Sequence, residues 1–251
     1  MKVLAIDTSS KLCSVALLED TNLIKKLELD NGLTHSETLM PLIKQLLKEC
    51  DLTLNKINLL VSDIGPGSFT GIRIGVSTCK AFSDSLNIPC VGISSLEVLA
   101  HNIKNDSIIC STIDCKNDNC YFALYELNSG IYNILNQPCA MSIDDVLNLL
   151  NTQYCNRTIS FVGDGISDKI YGVSDRIYGV SDRILCNNFA NNINPDKIEK
   201  ESYSYLNVEN LGIAGYKKFV NQNKVGENIL PLYLKKPQAQ IQLEAKLNKI
   251  L

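Results

Sequence analysis

Three short stretches carry residue types able to hold a phosphate. Asp7-Thr8-Ser9-Ser10 follows an apolar run and offers a carboxylate and hydroxyls, but no glycine. Backbone amides can still approach an anion there, although a Cβ at every position makes the approach harder. "DIGPGSFTGIRIGVS", from Asp63 to Ser77, turns a strand into a helix, a junction that offers free N–H groups. Gly65 and Gly67 suit its tight turns, yet no Gly-Lys-Ser/Thr follows, so it is not a Walker loop. Gly163-Asp164-Gly165 is the third stretch, and a plain strand-to-loop turn explains it equally well.

Metal chemistry finds little to work with. The chain has 2 histidines, His35 and His101, and no HExxH motif. His101 reads as a surface or helix-end residue. Among 10 cysteines there is no CxxC pair. Cys110, Cys115 and Cys120 are evenly spaced, but they fall in a strand–turn–strand segment. Reduced thiols acting as small buried hydrophobes are the expectation.

Gly71 and Gly75 lie one helical turn apart, and Thr78, Cys79 and Phe82 extend the same side. An interior glycine costs a helix about 1 kcal/mol relative to alanine. Two on one face therefore imply close backbone packing against another helix: the one over 34–50, one from a second subunit, or both. Ile72 and Val76 on the other side would anchor this helix to a sheet.

The elements that must position these groups alternate. "KVLAID", "CSVALLED" and "LIKKLELDN" read as a three-strand meander. A helix follows from a Thr34/Glu37 capping box, with Pro41 inside it where a kink is expected. "INLLVSDIG" is a buried strand leading to a helix through about 86, then "IPCVGISS" and a short helix from Ser95 to about Asn102. "SIICSTIDCKNDNCYFALYEL" gives two strands around a polar turn, and "SIDDVLNLLN" a capped helix. "TISFVGDGI" is a strand, and "SYLNVENLGIAGYKKFV" a last helix. This alternation implies an α/β protein with mixed sheets, most economically two lobes in tandem. Residues 171–184 repeat YGVSDRI twice, which reads as a lengthened loop, and 240–251 reads as a short amphipathic helix.

At 251 residues the chain can bury a large core. A 45% apolar and 20% charged composition argues against wholesale disorder. The net charge of -3 argues against a basic nucleic-acid clamp. "MKVLAIDTSS" is too short and too acidic for a secretory signal, and no apolar run reaches membrane-spanning length, so a cytoplasmic protein is expected.

"AIDTSS", "THSETLMPLI", "DIGPGSFTGIRIGVSTCKAFS", "GISSLEVLA", "IDCKNDNCYFALY" and "LPLYLK" occur in this order. In them the chain resembles the bacterial TsaB family of the actin-like ATPase superfamily, which also holds acetate and sugar kinases. The resemblance covers 1–126 closely and 160–236 loosely. It implies a two-lobed actin-like (ribonuclease H-like) α/β fold with mixed sheets flanked by helices. The implied lobes are 1–104 and 105–203, with 204–251 packing back on the first.

The implied function is that of a non-catalytic scaffold. It would be required by its paralogue TsaD to form N6-threonylcarbamoyladenosine at position 37 of tRNAs reading ANN codons. TsaE would join the ternary complex, the chain alone would form a homodimer, and tRNA would be met only indirectly. TsaD-like relatives carry an HxxxH metal pair, whereas here His35 is followed four residues later by Leu39, so no metal is implied. A peptidase reading loses its chemical basis with that pair. The implied docking surface comprises His35, Leu39, Ile43, Leu46, Phe69, Gly71, Ile72, Gly75, Thr78, Cys79 and Phe82. No intrinsic cofactor is implied. ATP or ADP would sit at the interface with TsaD, near Asp7, Thr8, Ser9, Gly65, Gly67, Gly163 and Gly165. The competing reading is a stand-alone phosphotransferase or ATPase using Asp7 and the Gly163–Gly165 turn.

Overall fold

The computed structural model describes residues 1–30, 32, 34–166, 206–223 and 226–235. The duplicated heptapeptide and the expected helix over 240–251 lie outside these residues. The first sheet contains β1 (Lys2–Asp7), β2 (Cys13–Glu19), β3 (Asn22–Leu29), β4 (Leu59–Asp63) and β5 (Cys90–Ile93), in the order β3-β2-β1-β4-β5. The meander pairs antiparallel, while β4 joins β1 and β5 joins β4 in parallel. Parallel neighbours need a crossover, and helices α1 (His35–Glu49) and α2 (Phe69–Leu86) supply the two.

Alternation along β1 sends its side chains to two separate cores. Leu4 and Ile6 pack with Leu42, Leu46 and Val76 of α1 and α2. Val3 and Ala5 pack with Leu211, Ala214 and Phe219 of α5 (Val208–Asn221) on the opposite face. Burial on both faces is why these strands read as unbroken apolar runs. The capping box starts α1: the Thr34 N–H donates to Glu37 Oε2 at 3.2 Å. The helix runs through Pro41 as one element.

The second sheet contains β6 (Ser107–Asp114), β7 (Asn119–Asn128), β8 (Ile131–Ser142) and β9 (Ile159–Gly163), in the order β8-β7-β6-β9. β6 and β9 are parallel. Helix α4 (Ile143–Gln153), capped by Ser142, covers one face through Val146 and Leu150. The short helix α3 (Ser95–Ala100) covers the other through Leu96 and Leu99. Because α3 follows β5 directly, it joins the two sheets. The Ser111 hydroxyl fastens β6 to it by donating to the Leu96 carbonyl at 2.6 Å.

β8 was absent from the sequence-based expectation. It is an edge strand, carries Pro138, and shifts register against β7, all of which blur its pattern. His101 ends α3 as expected, but it is no surface residue. It is 5% exposed and stacks on Tyr132 with ring centroids 4.0 Å apart. Burial pulls its pKa down to about 3, so the ring is neutral.

Candidate functional site

Strands β1, β4, β6 and β9 point their carboxyl ends at a cleft between the sheets, the usual place for a ligand in α/β folds. The cleft encloses about 320 Å³ and is lined by Ser9, Ser10, Pro66, Gly67, Ser68, Leu99, Ile113, Asp114, Gly163, Asp164 and Leu206. The fold therefore gathers all three stretches suspected of phosphate binding. Ser9, Gly67 and Gly163 reach the lining, whereas Asp7, Thr8, Gly65 and Gly165 do not.

The groups that would cradle a phosphate are largely bonded to each other. The Ser68 N–H donates to the Ser9 carbonyl at 2.7 Å, and the Thr8 hydroxyl donates to the Gly71 carbonyl at 2.7 Å. A Cβ on Gly67 would run into the Ser9 carbonyl, and one on Gly71 into the Thr8 carbonyl. The glycines thus let the 65–71 loop lie backbone to backbone on the turn after β1. The lining also contains carboxylates from Asp114 and Asp164 and, among the described residues, no Lys or Arg.

This contact adds a partner to the glycine face that the sequence did not name. Gly75 stands with its missing Cβ 2.5 Å from Thr8 Oγ1, so both glycines close on the β1 turn, and Gly71 also meets His35 of α1 at 3.0 Å. Periodicity marked the small face but could not say what fills it. His35 brings α1 to Gly71, and its Nε2 lies 2.8 Å from the Ser10 carbonyl.

Two buried carboxyls sit behind the cleft. Asp7 Oδ1 accepts from the Ser9 N–H at 2.8 Å and the Ser9 hydroxyl at 2.7 Å. Asp63 Oδ1 accepts from the Gly65 N–H at 2.6 Å and the Ser95 hydroxyl at 2.7 Å, while Asp63 Oδ2 is buried with no hydrogen-bond partner. Burial raises the pKa of both. Asp63 is pushed well above the usual carboxylate range, by burial first and then by the neighbouring Asp7 charge. The Ser9 bonds offset part of the rise at Asp7, as the Ser95 and Gly65 bonds do at Asp63. Sequence reasoning singled out Asp7 and missed Asp63. The available signal was an acid closing an otherwise apolar strand of a parallel sheet.

The expected docking residues divide by burial. Leu39, Ile43, Leu46, Ile72 and Cys79 form one core between α1, α2 and the sheet, so they present nothing to a partner. Gly71 and Gly75 are buried as well, His35, Thr78 and Phe82 are half-buried, and Phe69 is 45% exposed. The outward surface carries residues the sequence did not single out. Met40 is 50%, Leu230 62% and Tyr233 48% exposed. Arg73 lies 3.8 Å from the Phe69 ring centroid, and its Nε–H donates to the Tyr233 hydroxyl at 2.7 Å.

Comparison with known proteins places this architecture. A family model described as TsaD, tRNA N6-adenosine threonylcarbamoyltransferase, matches residues 32–243. The tRNA threonylcarbamoyladenosine biosynthesis protein TsaB of Bacillus subtilis (strain 168) is 33% identical over 168 residues, which is 66% of this chain and 72% of that protein. TsaB of Escherichia coli (strain K12) is 33% identical over 137 residues, 53% of this chain and 59% of that one. YeaZ from Pseudomonas aeruginosa shares the fold with a TM-score of 0.68 at 21% identity, covering 93% of this chain and 99% of its own. A further solved protein, described as similar to peptidase YEAZ from Pseudomonas aeruginosa, gives 0.70 at 22%, with the same coverage. The chain belongs to the TsaD-like family and, within it, to the bacterial TsaB proteins.

Proposed function

We propose that this chain serves N6-threonylcarbamoyladenosine formation on tRNA as a non-catalytic subunit that a TsaD-type transferase requires. The names of its relatives support the pathway. One observation favours the accessory role: the loop that could hold a phosphate is sealed onto the turn after β1 by the Ser68–Ser9 and Thr8–Gly71 bonds. His35, half of the metal pair of TsaD-like relatives, is engaged with the Ser10 carbonyl, and the other position is the buried Leu39. Docking of TsaD, or of a second copy of the chain, would use the outward sides of α1 and α2 around Met40, Phe69 and Arg73. TsaE would join the same assembly in the cytoplasm. A nucleotide would be completed by the partner, and tRNA would be bound by the partner.

Reconstitution tests this directly. TsaD, TsaE, tRNA and threonylcarbamoyl-adenylate are combined with and without the chain, and the modified nucleoside is measured by mass spectrometry. Product is expected only when the chain is present, and the isolated chain should not turn over Mg-ATP. Turnover by the isolated chain, abolished in Asp7→Ala, would overturn the accessory reading in favour of a phosphotransferase.

A further inference from the structure

We infer that residues 226–235 are a strap that fastens the two lobes together and sets the width of the cleft. The segment has no regular secondary structure and is held by separate anchors along its length. It begins on the first lobe, where the Glu227 N–H donates to the Cys90 carbonyl of β5 at 2.8 Å. The Glu227 carboxylate pairs with Lys218 of α5 at 3.0 Å, and Ile229 is buried in the core under α1 and α2.

The strap then meets one wall of the cleft. The Leu232 N–H donates to the Ile64 carbonyl at 2.8 Å, two residues before Pro66 of the lining. Its end crosses to the opposite wall. Leu234 packs against the second-lobe core, and Lys235 Nζ donates to the Cys115 carbonyl at 2.9 Å, next to Asp114 of the lining. Lobes joined through a small interface move against each other by default. Here opening the cleft would break the Lys235 bond and expose Leu234, a cost that the joint at α3 does not impose. The strap is therefore a tie between the walls, independent of the chain connection through α3.

Hydrogen exchange on the full chain tests the assignment with two variants. Lys235→Ala removes the bond to Cys115, and Leu234→Ala removes the packing. Either loss is expected to speed exchange at both walls, residues 64–68 and 114–119, by about tenfold or more, the low end of what a lost charged hydrogen bond or a truncated half-buried leucine produces. Amides in the centres of β1 and β6 should keep their protection, which shows that each lobe remains folded. Acceleration at both walls in either variant supports the strap. Acceleration confined to residues 226–235 in both, or none at all, overturns it.

Discussion

Replacing Asp63 by Asn should stabilise the protein, and the gain should grow as pH rises. The amide keeps the oxygen that receives the Gly65 N–H and the Ser95 hydroxyl, and it cannot ionise. It also removes a second acid from beside Asp7. The pH dependence follows from the direction of the shift. Asp63 holds its proton more tightly folded than unfolded, so its contribution is full below the unfolded pKa, about 4, and is lost as pH climbs through the folded value. Within that window each pH unit costs wild type about 1.4 kcal/mol relative to Asn. Urea denaturation at pH 5, 6, 7 and 8 reads the difference as a shift in midpoint. At this chain length each kcal/mol also moves the melting temperature by about 2–4 °C. A difference between the variants that stays flat with pH would refute the buried, protonated carboxyl.

Gly71→Ala should destabilise the fold by about 2 kcal/mol or more, because its Cβ meets the Thr8 carbonyl; a denaturation midpoint equal to wild type would contradict the sealed loop. Met40→Asp should leave stability within about 0.5 kcal/mol and Phe69→Asp, which loses the Arg73 contact, within about 1 kcal/mol, while both weaken co-purification with TsaD. Undiminished co-purification would move the docking surface elsewhere. The His101 imidazole should show no titration by NMR between pH 8 and pH 5, since burial holds its pKa at about 3. A midpoint near the ordinary value of about 6.5 would show that the stack on Tyr132 opens in solution.

β1, β2, β4 and β5 were readable because they are buried on both faces, and β3 because it alternates; turn residues bound them. The helices were readable from their caps: Thr34 with Glu37, and Ser142 ahead of Asp145. The Gly-rich loop was recognisable as a strand-to-helix junction, and the fold brings it beside Ser9 and Gly163 in one cleft. What lies across from a residue was not readable. Gly71 and Gly75 announce a close approach, but Thr8 is 63 residues away from Gly71 and no local pattern names it. His101 and Asp63 failed for a related reason. A polar residue looks the same in sequence whether water or a buried partner surrounds it, and only tertiary packing decides. Core residues of α1 were mistaken for docking residues because an apolar stripe serves equally well against a sheet or a partner.

The order of strands in the first sheet bears on how the chain emerges from the ribosome. β1, made first, ends in the middle of the sheet. Its meander partner β2 follows within a few residues, but β4 begins only at Leu59, so one edge of β1 waits unpaired while α1 is synthesised. One face waits longer still. Val3, Ala5, Val61 and Val91 are covered by α5, which starts at Val208. Nascent chains that stop short of α5 would present a sticky apolar sheet face, a natural client for a chaperone. Premature termination anywhere before residue 208 should therefore yield aggregates rather than a smaller folded lobe.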